Sequence, residues 1–316
     1  MLSMASLDFS LQFLVGGDLR PWLGLVLRGG FGSALRSLSC GLKDATCKSC
    51  LLAARCAYGY LFETPVPFDD HSQRIWHPPH PFVWKPPLLD QVAASQSVSL
   101  GLTLVGKALD YYPYFILSLE QLACGGLGRD RIRFELTGVR CLKTGADLNK
   151  DRGLPESSIF TINPLLDDDN YSGDFSRFKI IMKTPLRLKK SGQRLFHFDF
   201  DSFVGSIVRR IELLAEWHCD QDLFLRFSHI LESASSVKVI SDDSHFHDWF
   251  RFNKRQNQVM PVGGTLGEVI LEGDYGIFSG LFNAARYLGA GNQTSFGLGQ
   301  VEFTVLDDEF QCNPGT

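Results

Sequence analysis

The sequence predicts an α+β protein that contains two βαββαβ domains with antiparallel sheets, on two observations. First, short segments in which apolar and polar residues alternate, as in half-buried strands, take turns with longer segments whose apolar residues recur every three or four positions, as in amphipathic helices. Second, this order occurs twice, and each round ends with a helix, a glycine-rich loop and a strand. The βαββαβ order is that of the ferredoxin-like fold, in which two helices cover one face of the sheet.

The first domain is predicted over residues 1–143. Residues 7–15 alternate as a strand, and an amphipathic helix follows. Glycine weakens a helix by about 1 kcal/mol relative to alanine, so we expect Gly29 and Gly30 to form a loop and the helix to begin near Phe31. The other predicted elements are strands at 57–63, 97–105 and 131–139, a helix at 111–123 and an exposed proline-rich segment at 64–87 that is either an extended loop or a hairpin.

Residues 144–175 are predicted to link the two domains, because they are rich in Asp, Asn, Gly, Pro and Ser. The second domain then covers residues 176–316. Its predicted elements are strands at 178–183, 237–240, 246–252, 263–271 and 300–306, and helices at 203–217 and 278–288.

Composition and charge limit the kinds of nucleic-acid and membrane interaction that the chain can make. The chain has 316 residues, of which 44% are hydrophobic, and a net charge of −4, so any site for nucleic acid must be a local basic patch. No run of 18 apolar residues could span a bilayer, and Asp8 interrupts the stretch that a signal peptide would need. We therefore expect a cytoplasmic protein that does not contact a membrane.

The segment GAGNQTSFGLG at 289–299 is the most informative motif. A dinucleotide site is excluded, because its glycines follow a strand and open a helix, whereas here a helix precedes the loop and a strand follows it. Glycines in this position bring backbone N–H groups close to an anionic chain, which suits RNA phosphates. The candidate RNA-binding residues of the loop are Gly289, Gly291, Asn292, Gly297 and Gly299.

Several segments together resemble the sixth Cas family of the RAMP superfamily. They are RGGFG at 28–32, GLGRDRIRF at 126–134, TPLRLK at 184–189, MPVGGTLG at 260–267 and LGAGNQTSFGLGQ at 288–300. The resemblance implies tandem ferredoxin-like RAMP domains and an endoribonuclease that cuts CRISPR repeat RNA in precursor crRNA. It also implies cleavage without a metal, by attack of a 2′-hydroxyl, with crRNA and other Cas effector subunits as partners. The alternative is a non-catalytic RAMP subunit that holds crRNA in an effector complex.

Clustered basic residues extend the candidate RNA surface. In residues 248–256, aromatic and basic residues are interleaved. This pattern fits RNA binding, with bases stacked on the aromatic rings and phosphates paired with the basic side chains. The alternative is a β-strand with one buried aromatic face and one solvated charged face. The candidate RNA-binding cations of the chain are Arg28, Arg129, Arg187, Arg251, Lys254 and Arg255.

Catalysis needs a general base, a general acid and a cation. In the family that the chain resembles, a histidine near the first helix serves, but no histidine precedes His71 in this sequence. We choose His77 in the proline-rich loop as the catalytic histidine, with Tyr58 and Lys43 as further acid–base groups. The other histidines considered are His71, His80, His245 and His247.

Four cysteines lie within 17 residues with the spacing C-x6-C-x2-C-x5-C. They are Cys40, Cys47, Cys50 and Cys56. Clustered thiolates in a reducing compartment predict a metal site, and we favour structural zinc, with an iron–sulfur cluster as the alternative. A metal-dependent redox or scaffold protein built on these cysteines is a third hypothesis for function.

Overall fold

A computed structural model describes residues 1–42, 46–47, 50–53, 55–64, 78–148, 153–165, 176–221, 227–253 and 258–306. The described residues form two compact units. Unit 1 lies within residues 1–162, 212–222 and 295–297, and unit 2 lies within residues 163–211, 223–294 and 298–316. Along the described ranges, no helix is both long and apolar enough to cross a membrane.

Unit 1 contains a four-stranded antiparallel core sheet with two helices. Its elements are β1 (Leu2–Phe13), β2 (Gly17–Asp18), α1 (Leu23–Ser39), β3 (Phe82–Lys85), β4 (Gln91–Val92), β5 (Ser97–Val105), α2 (Tyr112–Gly125), β6 (Phe134–Cys141) and β7 (Phe160–Ile162). The strand order is β3-β5-β1-β6, and β7 pairs with the beginning of β1. β2 and β4 form a separate two-stranded ladder.

Alternation along β1 decides which face of this sheet is buried. Phe9 and Leu11 are buried and lie opposite Leu100 and Val98 of β5, whereas Ser10 between them is exposed. The aromatic residues of the helices complete the core on the buried side, since Phe31 of α1 stacks on Phe115 of α2 at 5.0 Å between ring centroids. Other buried aromatic residues of this core are Phe13, Phe82, Trp84, Tyr112 and Phe134.

Unit 2 repeats the topology. Its elements are β8 (Ser176–Leu186), β9 (Lys189–Lys190), β10 (Gln193–Arg194), α3 (Phe200–Cys219), α4 (Ser228–Ala234), β11 (Lys238–Asp242), β12 (His245–His247), β13 (Phe250–Asn253), β14 (Gln258–Pro261), β15 (Gly264–Gly273), α5 (Gly276–Leu288) and β16 (Val301–Leu306). The sheet order is β11-β15-β8-β16, with β12 also on β15, and the last part of α3 is assigned to unit 1. β9–β10 and β13–β14 are two-stranded hairpins.

The two sheets have the same order of strands. When the four core strands of each unit are numbered along the chain, both sheets read 2-3-1-4, with a helix between the first two strands and another between the last two. This is the ferredoxin-like arrangement. The predicted tandem ferredoxin-like fold is therefore confirmed.

The glycine pair of α1 departs from the prediction, because the helix runs through Gly29 and Gly30 without a loop. A Cβ on Gly30 would lie 2.8 Å from Leu122 Cδ1 of α2, so glycine at this position lets the two helices approach closely. The predicted start of the helix near Phe31 is wrong, since α1 begins at Leu23. Tertiary packing, rather than a turn, explains this glycine.

Two further elements of unit 1 differ from the prediction. The strand predicted at 57–63 is helical, and Gly59–Glu63 form a π-helical turn in which the Gly59 backbone meets the Ala53 carbonyl oxygen too closely for a Cβ. The proline-rich segment was predicted as an exposed loop or hairpin, but Phe82–Lys85 form the edge strand β3, with Phe82, Val83 and Trp84 fully buried. Apolar residues between prolines are thus part of the sheet.

Residues 144–175, predicted as a linker, contain β7, which extends the sheet of unit 1. The single strand predicted at 246–252 is two strands, because β12 pairs with β15 while β13 pairs with β14. The remaining predicted strands and helices match observed elements, within a few residues at their ends.

Candidate functional site

Arg28 is the centre of the candidate site in unit 1. Its Nη2 lies 2.9 Å from His80 Nε2. Its guanidinium carbon lies 4.3 Å from the ring centroid of Phe62 and 4.7 Å from that of Phe296, so the cation contacts two aromatic rings. α1 supplies Arg28, the π-helical turn supplies Phe62, and the glycine-rich loop supplies Phe296.

The hydrogen bond assigns a protonation state to His80. A guanidinium has only donors, so His80 Nε2 must accept, which requires a neutral imidazole with its proton on Nδ1. Cation–π contacts stabilise the arginine where few water molecules surround it. The pair therefore combines a permanent positive charge with a basic nitrogen 2.9 Å away. These are two of the three groups that phosphodiester cleavage without a metal requires.

Tyr58, a predicted catalytic residue, lies next to this pair. Its ring stacks on Phe62 with 5.3 Å between centroids, so Tyr58 and Arg28 contact the same phenyl ring. The side chain is buried, and its hydroxyl donates a hydrogen bond to Glu63 Oε1 at 3.2 Å. The acid–base role of Tyr58 stays a prediction. His77 and Lys43, the other two predicted catalytic residues, lie outside the described residues.

His218 connects two parts of unit 1, one at Tyr60 and the other at Pro79, the residue before His80. It is buried near the end of α3, its Nε2 lies 2.9 Å from the Pro79 carbonyl oxygen, and its Nδ1 lies 2.8 Å from the Tyr60 hydroxyl. Because a carbonyl only accepts, Nε2 donates, and Nδ1 of the neutral ring then accepts from Tyr60. Burial raises the pKa of the Tyr60 hydroxyl, with Tyr111 as the next contributor, so the phenol keeps its proton. No pattern in the sequence connects His218 to this site.

The glycine-rich loop uses its backbone donors within the protein. Ala290 N donates to Gly299 O, Gly291 N to Ser206 Oγ, and Gly299 N to Pro185 O, at 2.8, 3.0 and 3.1 Å. The expectation that these glycines hold their N–H groups open toward RNA phosphates is corrected for these donors, because each already has an internal acceptor. RNA binding by Gly289, Gly291, Asn292, Gly297 and Gly299 stays a prediction.

Internal packing explains why the loop needs glycine. Gly299 has φ +71°, and a Cβ there would overlap the carbonyl oxygen of Ala290. A Cβ on Gly297, at φ +87°, would overlap Pro86 Cδ. Gly297 is buried, whereas Asn292 is exposed and its side-chain amide donates to Arg187 O at 3.1 Å. Asn292 is thus the one predicted loop residue that has a side chain to offer a ligand, since the other four are glycines.

The predicted RNA-binding cations are placed unevenly. Arg129 is exposed, and Arg187 is half-buried with Nη1 2.5 Å from Pro261 O. Arg251 belongs to β13, while Lys254 and Arg255 lie outside the described residues.

The cysteines of the predicted metal site have free thiols. Burial and then the Glu63 carboxylate raise the pKa of the Cys47 thiol, while Arg36 acts against them. Within the part of the chain that the structure describes, no three His, Cys, Asp or Glu side chains are grouped closely enough to hold a metal ion. A metal on Cys40, Cys47, Cys50 and Cys56 stays a proposal.

Comparison with known proteins gives matches in both units. Residues 2–159 match the family model AF_1859_N, described as an N-terminal domain, and residues 180–301 match the model described as CRISPR-associated endoribonuclease Cas6. An Archaeoglobus fulgidus protein described as uncharacterized is 28% identical over 131 residues, which cover 41% of this chain. The match spans 44% of the length of that relative.

Solved structures share the fold. A Cas6 product complex is similar with a TM-score of 0.56 at 17% identity, over 95% of this chain and 100% of that one. A Thermus thermophilus Cas6 gives 0.54 at 14% identity, over 96% and 99%. A partial Cas6-RT-Cas1–Cas2 complex gives 0.58 at 11% identity, over 97% of this chain and 46% of that one.

Two ferredoxin-like units in one chain define a protein of tandem ferredoxin-like fold. The family model that covers half of the chain places it in the AF_1859_N family, and its second unit is similar to the CRISPR-associated endoribonuclease Cas6 family over residues 180–301.

Proposed function

We propose that this protein is an endoribonuclease that cleaves CRISPR repeat RNA within precursor crRNA to give mature crRNA. The observation that carries the proposal is the Arg28–His80 pair, because it joins a cation and a basic nitrogen beside the glycine-rich loop. The family match over residues 180–301 supports the same activity.

The proposed reaction needs no metal. The 2′-hydroxyl oxygen attacks the adjacent phosphorus, a base takes the hydroxyl proton, and the bond to the 5′ oxygen breaks as an acid protonates that oxygen. The products carry a 2′,3′-cyclic phosphate and a 5′-hydroxyl. Arg28 stabilises the negative charge that develops on the phosphorane oxygens. His80 Nε2 acts as the base and takes the 2′-hydroxyl proton when that hydroxyl replaces Arg28 as its hydrogen-bond donor, and His77, Tyr58 and Lys43 are the proposed acids for the 5′ oxygen.

RNA is proposed to bind through the glycine-rich loop and the predicted cations of both units. Arg129 and Asn292 are exposed, so both are accessible to a phosphate. Other proposed partners are Cas effector subunits, and the protein is proposed to be cytoplasmic.

Cleavage of repeat RNA in EDTA tests the proposal. We expect the wild type to cleave, and His80→Ala to lower the single-turnover rate by about 10²- to 10⁴-fold, the usual contribution of a general acid or base. His229→Ala is the matched control, because His229 is exposed on α4 and belongs to no proposed site. His77→Ala tests the histidine chosen from the sequence.

Arg28 has its own test. Arg28→Lys keeps the charge but loses the planar fork that contacts His80 and both rings, so it should recover only part of the activity that Arg28→Gln loses. Cleavage that stops in EDTA would contradict the metal-free mechanism. Full activity of both His77→Ala and His80→Ala would contradict the proposed histidine chemistry.

The alternative is a non-catalytic RAMP subunit that holds crRNA. The absence of any histidine before His71 favours it. Tight binding of repeat RNA by wild type without cleavage would decide for this alternative.

We also propose structural zinc on the four clustered cysteines, with an iron–sulfur cluster as the alternative; their spacing in the sequence supports it. Metal analysis of purified protein should give about one equivalent. Cys47→Ser should lose that metal, and Cys124→Ser should not, because Cys124 is exposed on α2 far along the chain. Visible absorbance would identify iron–sulfur, and a metal-free wild type would overturn both versions.

A further inference from the structure

Several aromatic side chains in the described part of unit 2 lie outside its core. Phe196 and Phe250 are 59% and 55% exposed, and Phe246 and Trp249 are half-buried. The aromatic residues that form the core of this unit are fully or nearly fully buried instead: Phe178, Phe200, Phe203, Phe278, Phe282 and Phe303. Of the side chains outside the core, Phe196 and Phe246 contact each other, and a contiguous exposed apolar patch marks an interaction site, whereas single exposed apolar residues do not.

A guanidinium joins two of these rings. Arg194, at the end of β10, places its guanidinium carbon 4.9 Å from the ring centroids of both Phe196 and Phe246. The two rings lie 4.9 Å apart at 57° to each other, and Asp248 Oδ1 lies 3.6 Å from Arg194 Nη2. The contacts on both sides hold the guanidinium in place, while the Phe196 ring keeps most of its surface open to solvent.

The chemistry of this cluster favours a nucleobase over an apolar protein segment. A flat ring next to a fixed guanidinium offers stacking and cation–π contact to any of the four bases. Exposed Lys189 stands in the β9 strand opposite Arg194 of β10, where it suits a phosphate backbone, while Lys190 beside it is paired with Asp199. A protein partner with an apolar face would gain little from cations at the edge of the patch.

We propose that Arg194, Phe196 and Phe246 form a stacking site for an unpaired nucleobase of the RNA substrate. The inference rests on the proposed function, since it assumes an RNA ligand. It assigns this surface to a single-stranded part of the RNA, where bases are free to stack, and not to the paired stem. Because every base has an aromatic face, the site does not select a sequence.

The test compares two probes of equal charge. One is a short fluorescein-labelled oligouridylate, and the other is an abasic ribose-phosphate oligomer of the same length. The wild type should bind the oligouridylate about 5- to 100-fold more tightly, the range expected for one stacked base. Phe196→Leu should remove most of this preference without changing the affinity for the abasic oligomer, and Phe196→Trp should retain it.

Two controls separate stacking from charge and from folding. Lys189→Gln should weaken both oligomers equally and lower the salt dependence by about one phosphate contact. Leu231→Ala, an exposed apolar residue on α4, should change neither affinity. Melting temperatures of all variants show whether any loss comes from unfolding.

Each outcome decides the inference. Equal wild-type affinity for the two oligomers, or an unchanged preference in both Phe196→Leu and Phe246→Leu, overturns it. Self-association that Phe196→Leu abolishes, with RNA binding unaffected, would assign the patch to a protein contact and also overturns it. Cleavage of repeat RNA by the same preparations is scored separately, so the proposed nuclease activity stands or fails independently of this site.

Discussion

Replacement of Gly29 by alanine should stabilise the protein, although the sequence alone places this residue in a loop. Gly29 lies inside α1 and is exposed, and a Cβ there would have no other heavy atom within 4 Å. Alanine in a helix interior is favoured over glycine by about 1 kcal/mol. We therefore expect Gly29→Ala to raise the free energy of unfolding by about that amount.

Gly30→Ala is the matched comparison one position further along. It has the same gain in helix propensity, but its Cβ would lie 2.8 Å from Leu122 Cδ1. The end of the nearly buried Leu122 side chain must shift to admit this Cβ, and overpacking typically costs about 1–3 kcal/mol. The free energy of unfolding of Gly30→Ala should therefore lie about 1–3 kcal/mol below that of Gly29→Ala.

Urea unfolding followed by circular dichroism measures the difference, with equal m-values as the condition for comparing the midpoints. The two variants should fall on opposite sides of the wild type, or Gly30→Ala should at most equal it. If Gly29→Ala destabilises by 1 kcal/mol or more, α1 does not continue through the glycine pair. The register that brings Arg28 to His80 would then be wrong as well.

Three further predictions concern the packing around the site. Gly299→Ala should destabilise by at least about 2 kcal/mol in the same urea assay, because its φ of +71° strains alanine and its Cβ overlaps Ala290 O; near-wild-type stability would contradict this loop geometry. Burial lowers the pKa of Lys85 to about 8, below the ordinary value of about 10.4, so the unfolded chain binds the proton that the folded protein releases between these pH values. Wild-type stability should thus rise with pH from 8 to 10.4, by at most about 3 kcal/mol, and Lys85→Met should abolish this slope; parallel pH profiles would refute it. Tyr60→Phe leaves His218 Nδ1 without its donor and should cost about 1–3 kcal/mol in thermal unfolding, whereas no change would mean that water replaces the hydroxyl.

Local sequence patterns were enough to predict the fold class, because alternation and helical periodicity are local signals. Strand β5 runs over the predicted residues 97–105, and the helix predicted at 278–288 is α5 with two residues added at its start. The order of these elements was enough to predict two ferredoxin-like domains, since short connections leave few ways to pair the strands.

Where local signals conflict with packing, contacts between distant parts of the chain set the conformation of a segment. The local sequence predicts a loop at Gly29 and Gly30, but α1 continues through both residues and packs on α2 at Gly30. It also predicts that Phe82–Lys85 belong to a proline-rich segment outside the sheet, but these residues pair with β5. In both places, contacts between residues far apart in the chain outweigh the local propensity.

Some residues of the candidate site could be predicted from the sequence, and others could be found only in the folded structure. Residue type and resemblance pointed to Arg28 and Tyr58. Sequence spacing could not show that His80 lies next to Arg28, because the two residues are 52 positions apart. His77, the histidine chosen from the sequence, stays a prediction. His218 and the internal acceptors of the loop donors were equally beyond the sequence. Periodicity reports which face of an element is buried, whereas a hydrogen bond between distant segments exists only once both segments are folded.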